Sequence, residues 1–98
     1  MTTMMGISLT GRQVVLVGGG DVAARRIRRF LLDGAIVRVV APELGAATAR
    51  LVAEHNLDWV ARGVEHTDLD DAWLVHTATG NSRVDTDVAA YCEANRIL

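Results

Sequence analysis

Four apolar residues, Val14 to Val17, run directly into Gly18-Gly19-Gly20, and a helical pattern begins at Asp21. A buried strand, a tight turn and a helix N-terminus in immediate succession leave few folds open. Such a turn aims free backbone N–H groups at one point, and the helix dipole favours negative charge there. A diphosphate suits that point. The spacing Gly18-x-Gly20-x-x-Ala23 fits the dinucleotide fingerprint. In that pattern Gly18 makes the turn, Gly20 lets the backbone approach the pyrophosphate, and Ala23 is small enough for the helix to pack closely on the strand.

The remaining chain repeats the strand-helix alternation. Ile7 and Leu9 form a short lead-in after a loose leader, Met1 to Met5. Gln13 to Val17 reads as the first strand and Asp21 to Asp33 as a helix, with Val22, Ala23, Ile27, Phe30 and Leu31 on one face. Gly34 stands where a left-handed C-cap belongs. Ile36 to Ala41 is a second, β-branched strand. Pro42 suits a loop or a helix start, and Glu43 to His55 reads as a helix with Leu44, Ala47, Leu51 and Val52 inward. Trp59 to Ala61 is a short third strand, Thr67 to Asp71 an acidic turn, Trp73 to Thr77 a fourth strand and Asn81 to Asn95 a helix. Ile97-Leu98 begins a fifth strand.

Strands that are apolar on both faces, separated by helices, imply an α/β domain with a parallel sheet covered on both sides. Right-handed crossovers and a fingerprint on the first turn give the strand order 3-2-1-4-5, a Rossmann-like fold. With 98 residues the chain holds one domain, 1–98, and it stops two residues into the fifth strand, as a fragment of something longer would.

Composition removes several chemistries. Ten basic residues are all arginine and there is no lysine. That excludes a P-loop lysine, a Schiff-base lysine and a Tyr-x-x-x-Lys pair. The net charge of -2 does not suggest nucleic acid or a membrane surface as partner. The single Cys92 cannot form an internal disulfide, which fits a reducing cytoplasm. No apolar run is long enough to span a bilayer, and no signal peptide is visible. No His/Cys/Asp/Glu cluster has metal-ligand spacing.

Three places carry weight as a binding site. The glycine turn is the first. The second is the end of strand two, where many NAD sites hold an acid for the ribose. Here Val39-Val40-Ala41-Pro42-Glu43 brings the acid late, and two readings stand for Glu43: a ribose ligand from the loop, or a first-turn acid favoured by the helix dipole. No arginine follows strand two before Arg50, so NAD is preferred to NADP. The third is Thr77-Ala78-Thr79-Gly80-Asn81, at the carboxyl end of strand four, where small residues let a loop lie close to a nicotinamide; the plainer reading is a strand-to-helix loop capped by Asn81 or Ser82. Two readings stand for Arg25, Arg26, Arg28 and Arg29, attraction of a polyanionic substrate or, for most of them, a plain solvated helix face; His55 and His66 read as surface residues, His76 as a core or edge histidine and Cys92 as a small core residue. No general acid or base stands out.

In order along the chain come Leu9-Thr-Gly-Arg12, the Val14–Arg26 segment, Gly34-Ala35, Val39-Val-Ala-Pro-Glu43, Leu69-Asp-Asp-Ala-Trp-Leu74 and Thr77-Ala-Thr79. Together they resemble the N-terminal NAD-binding domain of siroheme synthase, the precorrin-2 dehydrogenase/sirohydrochlorin ferrochelatase family. The resemblance covers the chain from about Ile7 onward. It implies oxidation of precorrin-2 to sirohydrochlorin with NAD, and insertion of ferrous iron, in a homodimer that in many bacteria is fused to a uroporphyrinogen-III methyltransferase. It also implies that Asp21, Val22, Pro42 and Glu43 line the NAD site, with Thr77, Ala78 and Thr79 nearby. The family often has an acid where Gly80 stands. Its aspartate serving both reactions lies just past the fifth strand, so no catalytic residue is carried over to this chain. A non-catalytic, nucleotide-sensing Rossmann module is one competing expectation, and a folded fragment that by itself neither binds tightly nor catalyses is the other.

Overall fold

A computed structural model of the protein describes Gly6 and residues 8–98. The expected leader Met1–Met5, and Ile7 of the lead-in, fall outside the described residues. The elements run β1 (Gln13–Val17), α1 (Asp21–Leu32), β2 (Ile36–Val40), α2 (Ala46–His55), β3 (Asp58–Val60), a 3-10 turn (His66–Leu69), β4 (Leu74–Thr77) and α3 (Ser82–Ala94).

All strand pairings are parallel and the sheet order is β3-β2-β1-β4. Register follows from burial. Val14 and Leu16 of β1 share one face with Val37 and Val39 of β2, against Ala23, Ala24 and Ile27 of α1 and Leu51 of α2. Val15 and Val17 point the other way with Val40, against Val88 and Cys92 of α3 and Leu69 of the 3-10 turn. A strand buried on both faces must be apolar at every position, which is why β1 shows no alternation. Val17 lies opposite Val40 on one side and Thr77 on the other. The carboxyl ends of β1, β2 and β4 are therefore level, and their following loops emerge along one edge.

The helix ends are set by local chemistry. Gly34 at φ +79° closes α1: its N–H donates to the Leu31 carbonyl (3.0 Å), and the Ala35 N–H reaches Phe30 (3.0 Å). Asn56 ends α2 in the same left-handed region. Asn81 caps α3, its side-chain oxygen accepting from the N–H groups of Arg83 and Val84.

Four expectations need correcting. Among the described residues the sheet has four strands rather than five. Leu98 makes a single parallel step on the outer edge of β4, donating to the Trp73 carbonyl (3.3 Å) and accepting from Val75 N–H (2.7 Å); one residue of pairing is not a strand. The second helix begins at Ala46 and not Glu43, because the segment from Ala41 to Gly45 is used to close over the glycine turn. Val22 is 46% exposed, because the face turned to the sheet is set by Ala23 and Ile27. The third strand starts one residue early, at Asp58, where Arg38 of β2 holds the Asp58 carboxylate (2.8 Å).

Arg38 also makes two bonds to Asp71 (2.8 and 3.0 Å) and one to the Asp68 carbonyl (3.2 Å). These charge-assisted bonds hold the guanidinium's pKa above its ordinary value and Asp71 below the usual carboxylate range. They tie the segment between β3 and β4 to the middle of the sheet.

Candidate functional site

Loops following all four strands meet over the carboxyl edge of the sheet and enclose a cavity of about 630 Å³. Its floor is the glycine turn with the ends of β1 and β2. One wall is Pro42–Gly45, another is Gly63–Val64, and the far side is Ala78, Thr79, Asn81 and Val84. Open α/β sheets bind ligands at this place, between β1 and β4, where the direction in which strands are added to the sheet reverses. The volume lies within the roughly 300–1,000 Å³ of small-molecule sites.

Each glycine of the turn answers a different demand. Gly18 sits at φ +136°, and a Cβ there would press on the Ala78 backbone far closer than 3.0 Å. A side chain at Gly18 would thus push the β4–α3 loop away from β1. A Cβ at Gly19 would meet the Glu43 carbonyl just as badly. At Gly20 a Cβ would meet nothing within 4 Å. Gly20 faces the cavity, so the space a side chain would take is left to a ligand. Gly20 is also the N-cap of α1, and among the described residues no side chain caps that end. The first helical bond is Ala24 N–H to the Gly20 carbonyl (3.0 Å), which leaves the N–H groups of Asp21, Val22 and Ala23 without a partner in the helix. Such an end suits an anion.

The walls are fixed from behind. The indole N–H of Trp59 donates to the Ala41 carbonyl (2.9 Å), pinning the loop after β2. Gly63 and Val64 are held by Arg62, which grips Asp68 with two bonds (2.7 and 2.8 Å) and its neighbour Gly63 through the carbonyl (3.0 Å). Asp68 in turn accepts from the Glu65 N–H (2.8 Å). The Arg62 guanidinium holds the Asp68 carboxyl below its ordinary range. Across the cavity the Thr79 hydroxyl donates to Asp85 (2.7 Å) and accepts from Asn81 N–H (3.0 Å). Thr79 is spent on shaping its own loop, so it presents a small surface rather than a free donor. Glu43 is the one ionisable side chain among the lining residues described. The site can hold and orient a ligand, and it carries no acid–base pair.

Of the residues expected from the sequence, Gly18, Gly19, Gly20, Pro42, Glu43, Ala78 and Thr79 come together on this cavity. Asp21 and Val22 occupy the exposed first turn of α1 at its rim, outside the lining. Ala23 is wholly buried beneath it. Thr77 turns to the opposite face of the sheet, in a smaller cavity with Asp85 and Cys92; period-two alternation puts it opposite Ala78. Glu43 precedes α2, so the first-turn reading of this acid does not hold.

His76 packs edge-on against Phe30 and lies away from the lining; burial, with Arg26 nearby, lowers its pKa. His66 and His55 are exposed, and Cys92 is buried, its thiol pKa pushed up by that burial. The sequence reading missed Leu44, Gly45, Gly63, Val64 and Val84. Position after a strand was the available signal for Gly63-Val64, since loops at the carboxyl edge converge. It missed Thr48 too, which is wholly buried and donates to the Gly20 carbonyl (3.0 Å).

Comparisons with known proteins agree with this architecture. Residues 5–98 match the family described as "Putative NAD(P)-binding". The chain is 44% identical over 84 residues to siroheme synthase of Azotobacter vinelandii, covering 82% of this chain and 18% of that protein. It is 37% identical over 91 residues to siroheme synthase of Baumannia cicadellinicola, covering 93% and 20% respectively. Precorrin-2 dehydrogenase of Bacillus subtilis is 31% identical over 83 residues, covering 85% and 51%. Among solved structures, SirC, a precorrin-2 dehydrogenase, superposes with a TM-score of 0.80 at 37% identity, covering 91% of this chain and 44% of that one. The chain thus spans from under a fifth to about half of the length of these relatives. It belongs to the NAD(P)-binding family, alongside the dinucleotide-binding domains of siroheme synthases and precorrin-2 dehydrogenases.

Proposed function

We propose that this chain is the NAD-binding part of a precorrin-2 dehydrogenase acting in siroheme biosynthesis. The observation that carries the reading is Gly20: a position at an uncapped helix N-terminus where a side chain would meet only the cavity. The diphosphate rests on the Gly18–Gly20 turn and the first N–H groups of α1. The adenosine half lies along Pro42–Glu43 and Gly63–Val64, and the nicotinamide half lies toward Ala78 and Thr79. The free acid Glu43 after β2 suits ribose hydroxyls and would repel a 2′-phosphate. Arg62, near Gly63, is already engaged by Asp68 and Glu65. Both features support NAD over NADP.

When bound, NAD accepts the hydride removed from the tetrapyrrole. This chain's own residues bind the dinucleotide, orient its nicotinamide and shield one side of it from water. Tetrapyrrole contacts, ferrous-iron insertion, a homodimer and a fused methyltransferase are what the family resemblance implies for a complete protein that carries this domain. A cytoplasmic setting accords with the single reduced Cys92, and among the described residues no helix is long and apolar enough to cross a membrane.

Calorimetric titration with NAD and with NADP tests the cofactor reading. NAD binding at least as tight as NADP is expected, and absence of NAD binding refutes it. Nicotinamide absorbance on adding precorrin-2 and NAD to a protein that carries this domain at full length tests the reaction. NADH should accumulate. NAD binding without turnover there would favour a sensing module over a dehydrogenase.

A further inference from the structure

The glycine turn is cast against the segment from Val40 to Thr48 rather than shaped by its own helix alone. Gly18 N–H donates to the Val40 carbonyl (3.0 Å), and Gly45 N–H donates to the Gly19 carbonyl (2.8 Å). The Thr48 hydroxyl donates to the Gly20 carbonyl (3.0 Å) from 28 positions away. A helical threonine commonly bonds back to a carbonyl one turn earlier in its own helix; Thr48 instead reaches across to another element, and it is wholly buried. The peptide bonds here are trans, so carbonyl and N–H of one peptide point in opposite directions. Holding the Gly19 carbonyl on Gly45 turns Gly20 N–H away from α2. Holding the Gly20 carbonyl on Thr48 and Ala24 turns Asp21 N–H out of the helix N-terminus.

We infer that Thr48 is a positioning residue for dinucleotide binding: by anchoring the Gly20 carbonyl, its hydroxyl aims Asp21 N–H at the diphosphate. The inference rests on the proposed cofactor site and adds a residue to it that touches no ligand. Losing one such hydrogen bond leaves the Gly20 carbonyl still bonded to Ala24 but freer to tilt.

The test compares Thr48→Val, Thr48→Ser and Thr48→Ala with the unaltered chain. NAD is one ligand; adenosine, which has no diphosphate, is the other. Thr48→Val and Thr48→Ala should bind NAD about two- to tenfold more weakly, with adenosine binding unchanged. Thr48→Ser should retain NAD affinity near that of the unaltered chain. Serine and alanine differ only by the hydroxyl, so that pair decides the matter even where valine disturbs folding. NAD affinity unchanged in Thr48→Ala overturns the inference. So does an equal loss of NAD and adenosine, which marks a merely structural role. An unaltered chain that binds no NAD overturns the cofactor reading and this inference with it; an unaltered chain that binds NAD beside insensitive variants overturns this inference alone.

Discussion

Replacing each glycine of the turn by alanine separates folding from binding, because the three positions face different neighbours. At Gly20 the new methyl enters open space. Alanine is a poorer N-cap than glycine, a cost below about 1 kcal/mol, and it restricts the unfolded chain, a gain of about 0.4–1 kcal/mol. The net change in stability is close to zero, so the melting temperature should move by only a few degrees. The methyl nevertheless fills the place assigned to the diphosphate, and overpacking there of about 1–3 kcal/mol corresponds to about 5- to 150-fold weaker NAD binding.

Gly18→Ala behaves differently. Its φ of +136° suits glycine alone, and the methyl would drive into the Ala78 backbone. Backbone strain of about 1–2 kcal/mol and overpacking of about 1–3 kcal/mol give a loss of about 2–5 kcal/mol. For a domain of this size that is on the order of 10–30 °C in melting temperature. Gly19→Ala should fall between, with the clash against Glu43 but without the positive φ. Thermal unfolding by circular dichroism and NAD titration of each variant provide the assay. Gly20→Ala that melts as low as Gly18→Ala, or that binds NAD like the unaltered chain, would refute the reasoning.

Four further outcomes follow from the packing. Trp59→Phe removes the donor to Ala41, with an expected loss of about 1 kcal/mol and a looser loop after β2; denaturant unfolding should show the first and faster amide exchange at residues 41–45 the second, and an unchanged exchange pattern would count against it. Arg38→Met should cost about 1–2 kcal/mol, limited because Asp58 and Asp71 are more than half exposed; a loss beyond about 4 kcal/mol would mean that these charges are far less hydrated than their exposure indicates. Asp68 and Asp71 have carboxyl pKa values lowered from 3.8 by Arg62 and Arg38, so their stabilisation is present above that value and fades as the pH falls through the lowered ones; urea midpoints should drop below about pH 4, less steeply in Asp68→Asn, and parallel curves would refute the link. Cys92 is buried with a raised thiol pKa, so a disulfide reagent should modify it only as the chain unfolds, and rapid labelling of the folded protein would contradict its placement.

Strong local signals were read well from the sequence. The β-branched runs, Gly34 and the Gly18–Gly20 turn defined β1, α1 and β2 to within a residue or so, because both strand faces are buried and the helix stop needs a positive φ. The loop after β2 was harder. Nothing local distinguishes Glu43-Leu44-Gly45 as loop from the start of a helix, and its conformation is tied to the bond from Gly45 N–H to the Gly19 carbonyl and to close packing on Gly19. Thr48 was invisible for a related reason: one polar residue on an alanine-rich helix acquires meaning only from a carbonyl that the fold brings to it. Thr77 and Ala78 are sequence neighbours that a strand sends to opposite faces, so a motif read as a unit was divided by the pleat. Gly63 and Val64 follow a strand of three residues, too short to advertise the loop behind it.

The contact between the glycine turn and the Val40–Thr48 segment bears on how such a domain can be altered. A strand, turn and helix transplanted alone from this protein would arrive without the surface that shapes the turn. A portable unit must therefore reach at least from Gln13 through Thr48. The same contact makes cofactor exchange a coupled problem. Residues 42 to 45 would be the natural targets for accepting a 2′-phosphate, yet Gly45 also bonds the Gly19 carbonyl and the Glu43 carbonyl packs closely on Gly19. Redesign for the second nucleotide would then disturb a group shared by both, and single changes would combine non-additively.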